Sequence, residues 1–306
     1  MFMMIFFYML MILFSLISVA FITLLERKIL GYMQIRLGPN KVGITGILQP
    51  LSDAIKLYSK EIPLTKNSNK MIFFLCPSIS LCLSFMMWLI MPFTYPFLMM
   101  KFSLMMLLAM MGISIYPILI AGWSSNSNYS LLGGMRSLAQ SISYEVSLIF
   151  ILLSSMLLIS SMKFFNLIIF QKYFFFLFFI MQMIMWLVSC IAELSRTPFD
   201  FAEGESELVS GFNTEYGSGS FAMIFMAEYM MILFFSFFSV FLMMGLNYWM
   251  PMNLLFLMMF LFFFIWTRAT LPRYRYDKLM HLSWKIILPI SSFNLILSIF
   301  ICILKT

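Results

Sequence analysis

Uninterrupted apolar runs of about 20 residues recur along this chain, each just long enough, at 1.5 Å of rise per helical residue, to cross the roughly 30 Å hydrocarbon core of a bilayer. A helix that is apolar on every face must be buried in protein or in lipid, so these runs exclude an ordinary soluble fold. Spans of this kind are expected at about 2–25, 72–91, 102–122, 138–161, 174–193, 221–245, 251–267 and 284–304. With 63% of its 306 residues hydrophobic and only 10% charged, the chain has little left over for a water-soluble domain. The expected fold is all-α and polytopic, a single helical membrane domain over 1–306 with about eight transmembrane helices. No cleavable leader is expected, because the first apolar run has no basic region before it and leads directly into Glu26-Arg27-Lys28.

Charge then orients the spans. If they alternate, the segments 26–71, 122–137, 194–220 and 268–283 share one side, and with their bordering residues they hold 15 of the 19 Lys and Arg. Only Lys101, Lys163, Lys172 and Lys305 fall on the other. The positive-inside rule makes the first side cytoplasmic or, in a mitochondrion, matrix, with both termini opposite. Nine of the 12 acids share that side, and the remaining three, Glu145, Glu193 and Glu228, lie in or at the end of spans. A formal charge of +7 is thus an orientation signal and gives no reason to expect nucleic acid. No internal repeat is evident, which weighs against an inverted-repeat transporter.

Three loops carry information. The first opens at Glu26-Arg27-Lys28, and its density of charge, Gly and Pro requires turns; further on, Leu48, Leu51, Ile55, Tyr58 and Ile62 recur at helical spacing. Asp53, Lys56 and Lys60 take another face, which describes a short amphipathic helix lying in the membrane interface, able to roof an opening towards the lipid. The second loop gathers Glu193, Asp200, Glu203, Glu205 and Glu207 within fifteen residues. Like charges this close repel, so some must hold their protons or pair with Arg, which suits proton uptake. A calcium loop competes, but the glycine and terminal glutamate spacing of an EF-hand is missing. The third loop, 268–281, is basic with alternating Arg and Tyr, suited to orientation, anionic lipid, a quinone head or the acidic surface of a partner. An ordinary solvated surface remains an alternative for each loop.

Carboxylates inside a bilayer cost at least about 2.5–3.5 kcal/mol each, so Glu145 and Glu228 must face water or protein. Counted from the expected span starts, each lies about 10 Å below the charged face. With Glu193 at the end of its span they form a candidate proton relay, against the alternative that each is neutral or paired with a helix neighbour such as Tyr144 or Tyr229. No metal is expected: Cys76, Cys82, Cys190 and Cys302 lack C-x-x-C spacing and His281 stands alone.

Two stretches carry a family resemblance. Residues 38–61, G-P-N-K-V-G-x-x-G-x-L-Q-P-x-x-D-x-x-K-L-x-x-K-E, and residues 196–216, R-T-P-F-D-F-A-E-G-E-S-E-L-V-S-G-F-N-T-E-Y, resemble the quinone-site membrane subunits of proton-pumping NADH:ubiquinone oxidoreductases, respiratory complex I. The likeness extends through Met226-Ala227-Glu228-Tyr229 and 272–281 and covers essentially the whole chain. It implies a subunit without flavin, iron–sulfur cluster or metal of its own, taking ubiquinone as substrate. Its implied partners are peripheral-arm quinone-module subunits, small membrane subunits, antiporter-like subunits and membrane lipids. Arg27, Arg36, Asp53, Arg196, Phe199, Asp200, Glu203, Glu205 and Arg275 match positions of the quinone cavity; Tyr144, Glu145, Glu193, Glu207, Glu228 and Tyr229 match an acidic proton path. The departures are Leu194-Ser195, where Thr-Asn is more typical, and Gly217-Ser218-Gly219-Ser220 in place of an Ala/Gly-Gly-Pro helix entrance. The abundance of Phe and Met fits a mitochondrial gene product of the inner membrane. A cation–proton antiporter, a hydrogenase membrane subunit and a purely structural anchor are the readings left beside it.

Overall fold

The computed structural model describes residues 2–63, 65, 68–91, 101–170, 180–244 and 251–305; the side chains of 2–5, 168–170, 205, 206, 244 and 305 lie outside the described set. In chain order the helices are α1 (Phe2–Met33), α2 (Gln49–Ser59), α3 (Lys70–Leu89), α4 (Ser103–Ser124), α5 (Asn128–Leu157), α6 (Phe164–Phe170), α7 (Ile180–Glu193), α8 (Glu205–Leu208), α9 (Ser218–Met244), α10 (Pro251–Thr270), α11 (Tyr276–His281) and α12 (Leu288–Lys305). A π turn over Leu282–Ile287 joins the last two. Among the described residues there is no strand, and seven helices are long and apolar enough to cross a membrane, so the chain is an all-α polytopic membrane protein. The expected span at 174–193 is represented by α7, with 174–179 outside the described residues.

Several boundaries differ from the sequence expectation, the last span among them, whose helical backbone begins at Tyr276 and not at 284; three bear on acids. α1 does not stop at 25: it continues through Glu26, Arg27 and Lys28 to Met33, because charged residues with good helix propensity extend a helix once it leaves the bilayer. It ends in a Schellman turn, in which the Arg36 N–H donates to Gly31 O at 2.9 Å and the Ile35 N–H to Tyr32 O at 3.1 Å, with Ile35 at φ +56. The chain then folds back so tightly that a Cβ on Gly31 would come within 3.0 Å of the Gly38 nitrogen. α5 begins at Asn128, ten residues ahead of the expected 138, so nearly all of the expected 122–137 loop is helical and Glu145 lies mid-helix. Likewise α9 begins at Ser218, which puts Glu228 deeper along its helix than a start at 221 implies.

α5 and α9 are the central helices. α5 packs on α4, α7 and α12; α9 packs on α1, α3 and α10. The bundle is apolar outside, with Phe14, Leu254 and Ile303 exposed, and its largely apolar core also holds serines, Ser147, Ser189, Ser236 and Ser239 being fully buried. Their hydroxyls donate back to carbonyls three residues earlier, the arrangement that satisfies a hydroxyl in a dry interior. Gln182 of α7 donates to Ile151 O and Ser154 Oγ of α5, each at 2.7 Å, a polar tie between helices that have no hydrophobic force to bring them together in lipid. α2 lies on α1 and α9 with Leu51, Ile55 and Tyr58 turned outward, as expected of an interfacial amphipathic helix.

Candidate functional site

The turn that ends α7 aims the site. The Arg196 N–H donates to Ile191 O at 3.3 Å and the Ser195 N–H to Ala192 O at 3.1 Å, a second Schellman turn with Ser195 at φ +49. The left-handed turn residue is the Ser of the Leu194-Ser195 departure, and the geometry holds all the same. Gln140 of α5 secures the turn, its amide donating to Ala192 O at 2.7 Å and Phe199 O at 2.9 Å. The loop beyond closes on itself at Gly211, whose φ of +56 and lack of a side chain let the backbone pass Ala202 O, which lies 1.9 Å from where a Cβ would stand. The third loop lies against the second: the Tyr274 N–H donates to Pro198 O at 3.0 Å, and Phe199 packs between Tyr274 and Tyr144 at ring separations of 5.6 and 5.9 Å.

Under these loops lies a cavity of about 110 Å³, walled by α3, α4, α7, α9 and α10 together with the loop at 194–203. Its charged lining is Glu193, Arg196, Asp200, Glu203, Glu228 and Arg268, with Ser80, Ser84 and Ser114 facing them from α3 and α4. That volume is well under the roughly 300–1,000 Å³ of pockets that enclose a drug-sized ligand, but it has room for a short chain of waters. Among its charged groups four carboxyls stand against two guanidiniums, in a wall otherwise made of apolar and hydroxyl side chains.

Both loop acids of the cavity have partners. Arg273 Nη2 is 3.1 Å from Asp200 Oδ2, and the Glu203 N–H donates to Asp200 Oδ1 at 3.3 Å. Burial pushes the Asp200 carboxyl above its usual range; Arg273, the Glu203 N–H, Arg268 and Arg196 pull the other way and do not overcome it. Asn213 donates to Glu203 Oε1 at 3.4 Å. The membrane acids are barer: one carboxylate oxygen each of Glu145 and Glu193, and the Tyr144 hydroxyl, are buried without a hydrogen-bond partner. Glu193 is within electrostatic reach of Glu145, and Glu228 of Glu203 and Asp200. Glu145 itself does not line the cavity; its carboxyl lies against Gly112 of α4.

Several expected site residues stand apart from the cavity. Arg27 pairs with Asp53 at 2.5 Å, tying α1 to α2 at the surface. Arg36 is exposed, and Arg275, with its side chain 81% exposed, pairs with Asp277. Glu207 pairs with Arg136 of α5 at 2.5 Å. Glu205 opens α8, and its side chain lies outside the described set.

The residue that sequence reasoning passed over is Glu26, only 4% exposed. Its carboxylate accepts from Arg268 at 2.5 Å, from Arg196 at 3.3 Å and from the Tyr229 hydroxyl, while the Arg196 guanidinium lies over the Tyr229 ring at 4.7 Å. Burial acts against the Arg196 charge, but Glu26 and Tyr229 outweigh it, so the guanidinium is held protonated more firmly than usual. A signal for Glu26 was available, since Ser15, Val19, Ile22 and Glu26 are spaced 4, 3 and 4 apart on one helical stripe, and all are buried. An acid on the buried stripe of a helix requires partners.

A family model described as NADH dehydrogenase matches residues 6–299. A protein of Anopheles gambiae named NADH-ubiquinone oxidoreductase chain 1 is 51% identical over 276 residues, which is 90% of this chain and 88% of the relative. Proteins of the same name from Artemia franciscana and Strongylocentrotus purpuratus are 48% identical over 291 residues and 44% over 284, covering 94% and 90% of this chain and 95% and 88% of theirs. With a family model over nearly its full length and relatives at this identity, the chain belongs to the NADH dehydrogenase family.

Proposed function

We propose that this chain is a core membrane subunit of a proton-pumping NADH:ubiquinone oxidoreductase, and that the acidic cavity under its loops couples quinone reduction to proton movement. As a complex I chain it works with the other subunits of that oxidoreductase as a multi-pass protein of the inner membrane, here mitochondrial, with both termini on the intermembrane-space side. The observation that carries the coupling role is one cavity lined by two loop acids, Asp200 and Glu203, and two span acids, Glu193 and Glu228.

Ubiquinone approaches from the lipid beneath α2, whose apolar face is turned outward, past the Arg27–Asp53 pair, Arg36 and Arg275 at the charged surface. Its head stops at the loops, because the cavity below is sized for water. Electrons come from a cluster in a peripheral-arm partner, and antiporter-like subunits take up the proton signal on the far side. When the reduced quinone draws protons, Asp200 and Glu203 are the first donors, and Arg196 and Arg268 stabilise the carboxylates left behind. Glu193 and Glu228 then repay them from the bundle interior, with Tyr144, Glu145 and Tyr229 continuing the path and Glu207 at its loop end.

The test is photo-crosslinking with a ubiquinone analogue in native membranes, with labelled peptides mapped and excess quinone as competitor. Competable label in 27–61 or 193–229 supports the reading. Label confined to a partner subunit would reduce this chain to a proton path or a structural joint. Glu145→Gln and Glu228→Gln complexes that keep full quinone reductase rate and full proton stoichiometry would remove the relay.

A further inference from the structure

Glu26 belongs to neither of the residue sets brought forward from the sequence, and it does not line the cavity. It nevertheless holds both guanidiniums that do. One of its oxygens accepts from Arg268 of α10 at 2.5 Å and from Arg196 of the α7–α8 loop at 3.3 Å; the other accepts from the Tyr229 hydroxyl of α9. Arg196 is further fixed by its seat over the Tyr229 ring. Three elements far apart in the chain therefore meet on one carboxylate of α1. The next residue along that helix, Arg27, binds Asp53 of α2, so adjacent side chains of one helical turn reach the cavity wall and the interfacial helix.

We propose that Glu26 is a positioning residue for quinone-coupled proton transfer: by anchoring Arg196 and Arg268 it sets where their charge falls on the carboxylates of the cavity. The inference rests on the function proposed above. Its physical basis is that a guanidinium acts on a neighbouring acid according to its distance and its own neutralisation. Arg196 and Arg268 act on Asp200 and Glu228, and Glu26 is what neutralises them from behind. The other charges facing this volume are Glu203 from the loop and Glu193 from α7, with Arg273 against Asp200 from the third loop. A glutamine at 26 keeps the shape and an acceptor for Tyr229 but removes the charge, leaving the two guanidiniums to favour the ionised loop acids.

The experiment compares Glu26→Gln, Glu26→Asp and Glu228→Gln in the assembled complex in native membranes. It reads kcat and KM for quinone, the pH–rate profile and protons moved per electron. Glu26→Gln is expected to lower kcat by roughly tenfold to a hundredfold with a smaller change in KM, and to move the alkaline limb of the profile, where the donor acids lose their protons, to lower pH. Glu26→Asp, which retains the charge, is expected to restore the parental profile in part. If Glu228→Gln alters the profile while Glu26→Gln changes only the amount or thermal stability of the complex, the positioning role fails and Glu26 is a structural tie. If neither variant alters profile or stoichiometry, the cavity takes no part in turnover, and the functional reading fails with it.

Discussion

Arg273 Nη2 donates to Asp200 Oδ2 at 3.1 Å, joining the basic loop after α10 to the acidic loop after α7. Asp200 titrates above its usual range because it is buried, with Arg273 foremost among the groups pulling it back down. A carboxyl raised in the folded state favours its protonated form. Its contribution to stability is complete below the ordinary Asp value of about 3.9 and is lost as pH rises through the raised one. The Asp200→Asn variant should therefore lose stability less steeply than the parent as pH rises from about 4, and Arg273→Ala should extend the parent's window upward. Thermal inactivation of the complex across pH checks both; parallel curves for the parent and Asp200→Asn would refute the assignment.

The Arg27–Asp53 pair, with side chains 50% and 33% exposed, is the opposite case. Exposed pairs are worth about 0–1 kcal/mol. Asp53→Asn should leave the thermal stability of the complex within about 1 kcal/mol of the parent. A fall in quinone reductase activity in that variant would then report on quinone at the surface and not on folding. Comparing inactivation midpoints with activity separates the two, and a large loss of stability would contradict the reading.

Gly211 and Gly112 make a matched pair. A Cβ on Gly211 would stand 1.9 Å from Ala202 O in a left-handed backbone, so Gly211→Ala must break the loop that carries Asp200 and Glu203. The expected cost is at least about 1–2 kcal/mol from the backbone conformation alone, with the clash in addition. A Cβ on Gly112 meets only Glu145 Oε1 at 3.7 Å, ordinary contact, so Gly112→Ala should assemble normally. Immunoblotting of assembled complex compares the two, and equal yields would be the failing outcome.

Ala227 lines the cavity from α9 beside Glu228. Ala227→Leu puts three more carbons into about 110 Å³, at a cost of about 1–3 kcal/mol for overpacking, and displaces water from between the acids. Protons moved per electron in reconstituted vesicles should fall. Unchanged stoichiometry in a stable Ala227→Leu complex would mean that protons bypass this cavity.

How much was legible follows from which forces are local. The apolar runs name the spans, because hydrocarbon demands about 20 apolar residues wherever the chain crosses it. The outward apolar face of α2 was equally plain, since Leu51, Ile55 and Tyr58 repeat at helical spacing. Helix ends outside the bilayer were not: α1 runs on to Met33 and α5 starts at Asn128, where water tolerates charged and polar residues in a helix as readily as in a loop. Glu26 was overlooked for the same reason, as a boundary drawn at 25 turns a buried acid into the first residue of a loop.

The sequence by itself determined the class of molecule, the acids that lipid makes costly and the loops rich enough in charge to matter, because each of these depends on a residue and its near neighbours. The tertiary structure decided the pairing. That Glu26 of α1 meets Arg196, Tyr229 and Arg268, and that Glu193, Asp200, Glu203 and Glu228 share a cavity while Arg275 and Glu207 face outward, depends on helices brought together from separations of 170 residues and more for the Glu26 contacts. Nothing local to those residues records the distance between them. It follows from the packing of α1, α9 and α10 around the turn that ends α7.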